Sequence, residues 1–257
     1  MDNFDNPLIL AIETSGRLGS VAFAQGDKLL SESRFSGPMR HSAEIFPAII
    51  DLLSRFNKKP EQIEHVYISA GPGSFTGLRI AVTFAKTLAL ANNSKIVAVD
   101  TLDVIAANVI DFALPSPLPQ LNTQSSTLKT DDRLAVILDA KRGQFFVAVY
   151  EKTQGAIWKK ALPDCLMTAE EFINRFTNQP TCGEQSRTIS LAGEGLVFYK
   201  DKFAHENIRV LDEKFWNPSA ASVHKLGWEL AKKGQFADPL TLIPNYIRGP
   251  DVTVKQI

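Results

Sequence analysis

Gly71-Pro72-Gly73-Ser74-Phe75-Thr76-Gly77 decides how the rest of the chain is read. Before it, Val66-Tyr67-Ile68-Ser69-Ala70 has the β-branched, aromatic and small residues of a short buried strand. Three glycines and a proline in seven positions then exclude regular structure and allow a tight turn. Ser74 or Thr76 can cap a helix expected over 77–91. On that helix Gly77, Ala81, Ala85 and Ala89 fall four apart and share one flat face, while Leu78, Val82, Phe84 and Leu88 give bulk elsewhere. A helix apolar over so much of its circumference calls for burial on two sides, which suggests a second chain against the small-residue face. The glycines themselves leave two readings open. Backbone N–H groups at a helix start can hold an anion, or the loop is simply a strand-to-helix turn. Neither Gly-x-x-x-x-Gly-Lys-Ser/Thr nor Gly-x-Gly-x-x-Gly is present.

The chain has 257 residues, enough for one large domain or two lobes with a real core. Its 28 basic and 28 acidic side chains cancel, which argues against a broad electrostatic grip on nucleic acid by this chain alone. Cys165 and Cys182 make no disulfide framework, so a reduced, cytoplasmic setting is expected. The acidic start, Met1-Asp2-Asn3-Phe4-Asp5, is unlike a signal peptide, and no run of about 18 apolar residues predicts a membrane span.

Leu8-Ile9-Leu10-Ala11-Ile12 is a continuous apolar run, as in a strand buried on both faces, and Glu13-Thr14-Ser15-Gly16 ends it. Strands are expected at 20–24 and 28–35, then a helix over 41–56 with Pro47 as a kink or late start. A strand at 96–99 precedes a helix from Thr101, read as its cap, to about 113. Pro115 to Thr130 reads as a linker or surface loop. The pattern then begins again. Leu134-Ala135-Val136-Ile137-Leu138 ends in Asp139-Ala140-Lys141-Arg142-Gly143, and a strand follows at 144–150. Strand, acidic residue, polar hairpin and strand thus occur twice, with Glu13 and Asp139 in equivalent places, which suggests a duplicated unit. Thr168-Ala169-Glu170-Glu171 is a capping box, and 218–233 reads as a helix stopped at Gly234.

Glu13 and Asp139 end the first strand of each half, where a carboxylate can face a cleft and hold Mg²⁺ or act as a base, or else cap its own turn. The histidines are His41, His65, His205 and His224, with no pair three to five residues apart, so no metal motif is formed. His41 reads as a helix cap or surface residue. No Gly-x-Ser-x-Gly is present, and neither cysteine has the surroundings of a nucleophile.

Strand, Glu-Thr-Ser, hairpin and duplicated halves together resemble the actin-like ATPase superfamily, with its two-lobed, ribonuclease H-like α/β fold. Within it, Ile9 to Ser15 and Gly71 to Ile80 resemble the TsaB (YeaZ) family, accessory proteins of tRNA threonylcarbamoyladenosine synthesis. The resemblance continues through Asp100-Thr101-Leu102, Asp139 to Gly143, Gly193-Glu194-Gly195 and Pro244-Asn245-Tyr246-Ile247-Arg248. It implies an N-terminal actin-like lobe at 1–114, a linker at 115–130 and a C-terminal lobe at 131–257. It also implies a non-catalytic subunit that binds and activates TsaD, the threonylcarbamoyl transferase, with TsaE completing the complex and tRNA reached only through it. Alone, the chain is expected to form a homodimer if it self-associates.

The resemblance implies that ATP and a metal belong to the partner subunits and that this chain binds no cofactor strongly. The partner's paired metal-binding histidines correspond here to His41 with Ile45 or Phe46. The family usually has Asp where Glu13 stands. A remnant cleft is expected at Glu13, Thr14, Ser15, Gly71, Gly73, Ser74 and Asp139. The partner interface is expected at Ile45, Ile49, Leu53, Gly77, Leu78, Ala81, Val82, Ala85 and Ala89, so a charge at Ala85 should block docking and spare the fold. The rival readings are a metal-dependent peptidase or small-molecule kinase, and a self-associating module.

Overall fold

The apolar run after Pro7 forms strand β1 (Leu8–Glu13), and all six of its residues are buried. A strand sealed on both faces must lie inside a sheet covered on both sides. In the computed structural model, which describes residues 6–110, 133–152, 158–177 and 188–248, it does. β1 lies between β2 (Ser20–Gln25), antiparallel, and β4 (His65–Gly71), parallel. β3 (Lys28–Arg34), with Lys28 and Arg34 exposed, forms one edge, and β5 (Lys95–Asp100) the other. Because strand side chains alternate, Leu8, Leu10 and Ile12 face one core and Ile9 and Ala11 another. α1 (His41–Arg55) and α2 (Phe75–Asn92) cover the first face. α1 begins at His41 and runs unbroken through Pro47. α6 (Ala220–Lys232) covers the second face.

The second half repeats this order. β6 (Arg133–Asp139) is central, β7 (Gln144–Lys152) and β8 (Trp158–Thr168) continue antiparallel on one side, and β9 (Ile189–Ala192) and β10 (Ile208–Val210) parallel on the other. Both sheets therefore run third, second, first, fourth, fifth strand, the order of a ribonuclease H-like lobe. The duplication extends to detail. Glu13 and Asp139 each end the central strand. Gly71, which ends β4, and Gly193, just after β9, share φ values of 121° and 126°. A Cβ at Gly193 would stand 2.1 Å from the Ile137 carbonyl oxygen, so only glycine fits there. β8 has no counterpart among the strands expected from the residue pattern, and its Pro163 is tolerated because the strand is at an edge.

Chain order does not divide the lobes cleanly. α3 (Thr101–Ala106) precedes the expected linker, yet Leu102, Ile105 and Ala106 belong to the second core. α6 follows it, yet packs on the first sheet, as does Leu242. A division into 1–114 and 131–257 therefore separates segments that the fold joins; residues 115–130 lie outside the described residues. α3 is capped by Asp100, whose carboxylate accepts from Leu102 N at 2.8 Å, and Thr101 is a buried helix residue. Lys160 of β8 binds Asp103 and Asp164 at 2.7 Å each and Asp100 at 3.5 Å, tying the start of α3 to the second sheet. Burial and the neighbouring carboxylates raise the Asp100 carboxyl to about 8. The short helices α4 (Ala169–Thr177) and α5 (Leu196–Tyr199) complete the second lobe. The expected capping box is present: Thr168 N donates to Glu171 Oε2 at 2.7 Å and Glu171 N to Thr168 Oγ1 at 3.2 Å.

The small-residue face of α2 is turned inward. Ala81 and Ala85 are fully buried and Ala89 nearly so, all in the core beneath α1 and α2. Small side chains here bring the helix close to its own sheet rather than to another chain. An arginine at position 85 would bury an unpaired charge in that core. Ala85→Arg is therefore expected to lower stability by roughly 3 kcal/mol or more, read as a shift of the urea midpoint; a midpoint within error of wild type would contradict this placement.

His65 is buried against Tyr67 and Phe236 with its Nδ1 3.0 Å from the Tyr67 hydroxyl, and His224 Nε2 lies 2.8 Å from the Gly26 carbonyl oxygen. Burial, then the Lys95 charge, lowers His65 from 6.5 to about 4. The unfolded chain thus takes the proton more readily. The contribution of the neutral ring is whole above pH 6.5 and lost as pH falls toward 4. In an NMR titration the His65 imidazole should stay neutral well below pH 6.5; a midpoint at 6.5 would overturn the assignment.

Candidate functional site

The polar residues that end β1 hold one another. Glu13 is fully buried, and its Oε1 accepts from Ser15 N at 2.6 Å, Ser15 Oγ at 2.5 Å and Gly16 N at 3.3 Å. Ser69 Oγ donates to its other oxygen. Burial pushes the Glu13 carboxyl up, and these hydrogen bonds oppose the rise. Of the two readings open for Glu13, the turn cap is the one the geometry realises; the longer arm reaches because it curls back over Ser15.

The glycine loop is docked on this turn. Ser74 N donates to Ser15 O at 2.7 Å, and Thr14 Oγ1 donates to Gly77 O at 2.8 Å. A Cβ at Gly77 would stand 1.8 Å from Thr14 O, and one at Gly73 2.6 Å from Ser15 O. These glycines let two backbones touch. Ser74 caps α2, accepting from Gly77 N at 3.3 Å.

Between the lobes lies a cleft of about 530 Å³. Four of the seven expected cleft residues line it: Ser15, Gly73, Ser74 and Asp139. Glu13, Thr14 and Gly71 are buried behind its wall. Asp139 accepts from Lys141 N and Nζ, each at 2.7 Å, so it too caps its turn. The structure adds Arg17, Phe75, Glu194, Tyr246 and Arg248 to the lining. The last two belong to the tail, which crosses from lobe to lobe. Asn245 N donates to Ala70 O at 2.6 Å, Tyr246 stacks on Phe75 with centroids 5.2 Å apart, and Arg248 Nη1 donates to Ala140 O at 2.7 Å. Glu194 crosses the other way, its Oε2 accepting from Arg17 N at 2.6 Å. Burial raises the Glu194 carboxyl, partly offset by the Arg17 amide and charge.

His41 is buried rather than exposed at the surface, with Nε2 2.9 Å from Gly16 O and burial holding its pKa down. No side chain caps α1. Among the described residues no group of three His, Cys, Asp or Glu is placed to hold a metal ion. Cys165 is a free thiol whose pKa burial raises, the opposite of an activated nucleophile; Cys182 lies outside the described residues.

A second concavity, of about 670 Å³, lies between α1 and α2. Phe46 and Ile50 of α1 are 58% and 62% exposed along it. Phe84 of α2 meets Phe46 with centroids 5.5 Å apart, and Ile80 and Leu88 continue the row. Of the nine residues expected at a partner interface, Ile49 and Leu53 form the floor of this groove. Ile45, Gly77, Leu78, Ala81, Val82, Ala85 and Ala89 point into their own lobe. On α2 the bulky face, not the small-residue face, is the outward one. Its spacing was legible (Ile80, Phe84, Leu88), yet a helix apolar all round does not say which face meets its own sheet.

A duplicated 3-2-1-4-5 sheet, a cleft between the halves and helices on both faces define the two-lobed α/β class of actin-like proteins. The sequence model for tRNA N6-adenosine threonylcarbamoyltransferase, TsaD, matches residues 38–234, and the chain belongs to that family. Over nearly its whole length the chain is similar to proteins named tRNA threonylcarbamoyladenosine biosynthesis protein TsaB. The one from Bacillus subtilis is 28% identical over 97% of both chains. The one from Escherichia coli is 24% identical over 93% of this chain and 94% of that one. The transferase of Staphylococcus epidermidis is 35% identical, over 46% of this chain and 39% of its own. The solved structure of YeaZ from Pseudomonas aeruginosa superposes with a TM-score of 0.70 at 20% identity, covering 93% of this chain and 99% of that one, and so shares the fold. Among the described residues no helix is long and apolar enough to cross a membrane.

Since the Gly77 hydrogen faces the Thr14 carbonyl, Gly77→Ala must push the start of α2 off the β1 turn. A loss of about 2–4 kcal/mol in unfolding free energy is expected; tolerance of the methyl without loss would show that this contact is slack.

Proposed function

We propose that this chain is an accessory subunit of tRNA threonylcarbamoyladenosine synthesis, which binds a TsaD-type transferase and contributes no catalytic group of its own. The TsaB proteins it matches along their length are named for tRNA threonylcarbamoyladenosine biosynthesis, and this chain would serve that synthesis beside a subunit that carries out the reaction. The observation that carries the reading is the α1–α2 groove, an apolar concavity edged by exposed Phe46 and Ile50. Exposed apolar surface of this extent marks a place for a protein partner. Each large side chain covered there can contribute about 1.5–3 kcal/mol before the costs of association.

The occupant of the groove is the transferase, a relative of this chain in sequence, with TsaE joining the pair. ATP and the metal belong to those partners, and tRNA is reached through the complex. The modified base is the adenosine beside the anticodon of tRNAs that read codons beginning with A. Without the transferase, a second copy of this chain would cover the same groove, since a two-fold pair buries one patch twice.

Phe46 and Ile50 are exposed, so Phe46→Asp and Ile50→Arg should spare the fold, unlike a charge at Ala85. In size-exclusion chromatography with a TsaD-type partner, the double variant is expected to elute as separate chains. Threonylcarbamoyl transfer to tRNA, with TsaE and ATP present, should fall by more than about tenfold. An intact heterodimer with full transfer would reject the groove as the interface. Light scattering of the chain alone, with and without the two substitutions, tests the homodimer in the same way.

A further inference from the structure

The turn after β1 presents three successive backbone N–H groups, and each is held by a carboxylate of this chain. Ser15 N and Gly16 N donate to Glu13 Oε1 at 2.6 and 3.3 Å, and Arg17 N donates to Glu194 Oε2 at 2.6 Å. Successive backbone amides at a turn can serve an anion, and here two are taken from beneath and the third from across the cleft. Glu13 rises from the strand beneath. Glu194 comes from the opposite lobe, on the turn Gly193-Glu194-Gly195.

That turn is built to aim it. Gly193 has a φ of 126°, and Gly195 N donates to Ile137 O at 3.1 Å, which clamps the turn to the end of β6. Glu194 is 7% exposed and walls the cleft. Its Oε2 would lie 2.7 Å from a Cβ at Gly16, so the carboxylate fills the space above the loop because residue 16 has no side chain. Burial raises the Glu194 carboxyl and the Glu13 charge adds to the rise, while the Arg17 amide and the Arg17 and Lys141 charges oppose it.

An actin-like fold implies a nucleotide in this cleft, and the residues do not fit one. A phosphate reaching the β1 turn would need amides that are already engaged, and it would meet two carboxylates. We propose that Glu194 is a built-in anion, supplied by the second lobe, that occupies the anion position of the cleft and keeps phosphate ligands out. Removing its charge leaves the Arg17 amide open beside the Arg17 and Lys141 cations, a site for pyrophosphate. This stands apart from docking at the groove; either can fail alone.

The full-length chain is titrated with inorganic pyrophosphate by calorimetry, as wild type, Glu194→Gln and Glu194→Ala. The alanine variant is expected to bind at least about tenfold tighter than wild type, with the glutamine variant between them, since an uncharged acceptor still competes for the amide. In ¹⁵N spectra pyrophosphate should move the Arg17 amide of the variants and leave that of wild type in place. If the alanine variant does not fold, the near-isosteric glutamine variant carries the test. Folded variants that bind pyrophosphate no more tightly than wild type would make Glu194 only a tie between lobes and overturn the proposal. A wild-type chain that saturates as tightly as the variants would overturn it too.

Discussion

One backbone contact organises this molecule: the start of α2 lying directly on the turn that ends β1. Thr14 Oγ1 holds Gly77 O, Ser15 O holds Ser74 N, and no atom larger than hydrogen fits between Gly77 and Thr14 O. Fixing α2 there sets its height above the sheet, and the alanines at 81, 85 and 89 then fill the shallow space below it. The same placement turns Ile80, Phe84 and Leu88 toward α1 and the outside. Cleft and groove are thus two consequences of one docking, the first at the start of the helix and the second along its length.

The fold was largely legible because its signals are local and repeated. Leu8 to Ile12 is apolar without interruption because β1 is buried on both faces, and Leu134 to Leu138 repeats it for β6. The duplication of strand, acidic residue and hairpin foretold two sheets of the same order. What escaped was long-range. Nothing within 101–106 says that Leu102 and Ile105 belong to a core built on the strands of the second half, nor that α6 returns to the first sheet. β8 escaped because its edge position excuses Pro163 and its charged residues. Asp100, one residue before the expected cap, took the role of Thr101 because its carboxylate reaches two amides and a lysine at once.

The site was legible in its parts and misread in its orientation. The sequence pointed to Glu13 and Asp139 as equivalent, and they are, but each closes its own turn. The counterpart of Glu13 across the cleft is Glu194, more than fifty residues beyond Asp139, which no spacing rule connects to Arg17. The reading of α2 failed for a general reason. Small residues at every fourth position state that something comes close, and they are silent on whether that is a partner's helix or the protein's own sheet. Burial decides, and here it chose the sheet.

Phe75 joins the two concavities. Its ring stacks on Tyr246 at one side and lies 4.2 Å under the Arg79 guanidinium at another, and it lines both the cleft and the groove. Tyr246 is held in turn by a tail pinned to Ala70 in the first lobe and to Ala140 in the second. A body covering the groove therefore presses on a residue whose neighbours span both lobes. Glu194 and the tail cross the cleft in opposite directions, so movement of either lobe strains both. The halves of this molecule are tied to each other across the cleft, while an exposed apolar concavity lies outside it, on α1 and α2.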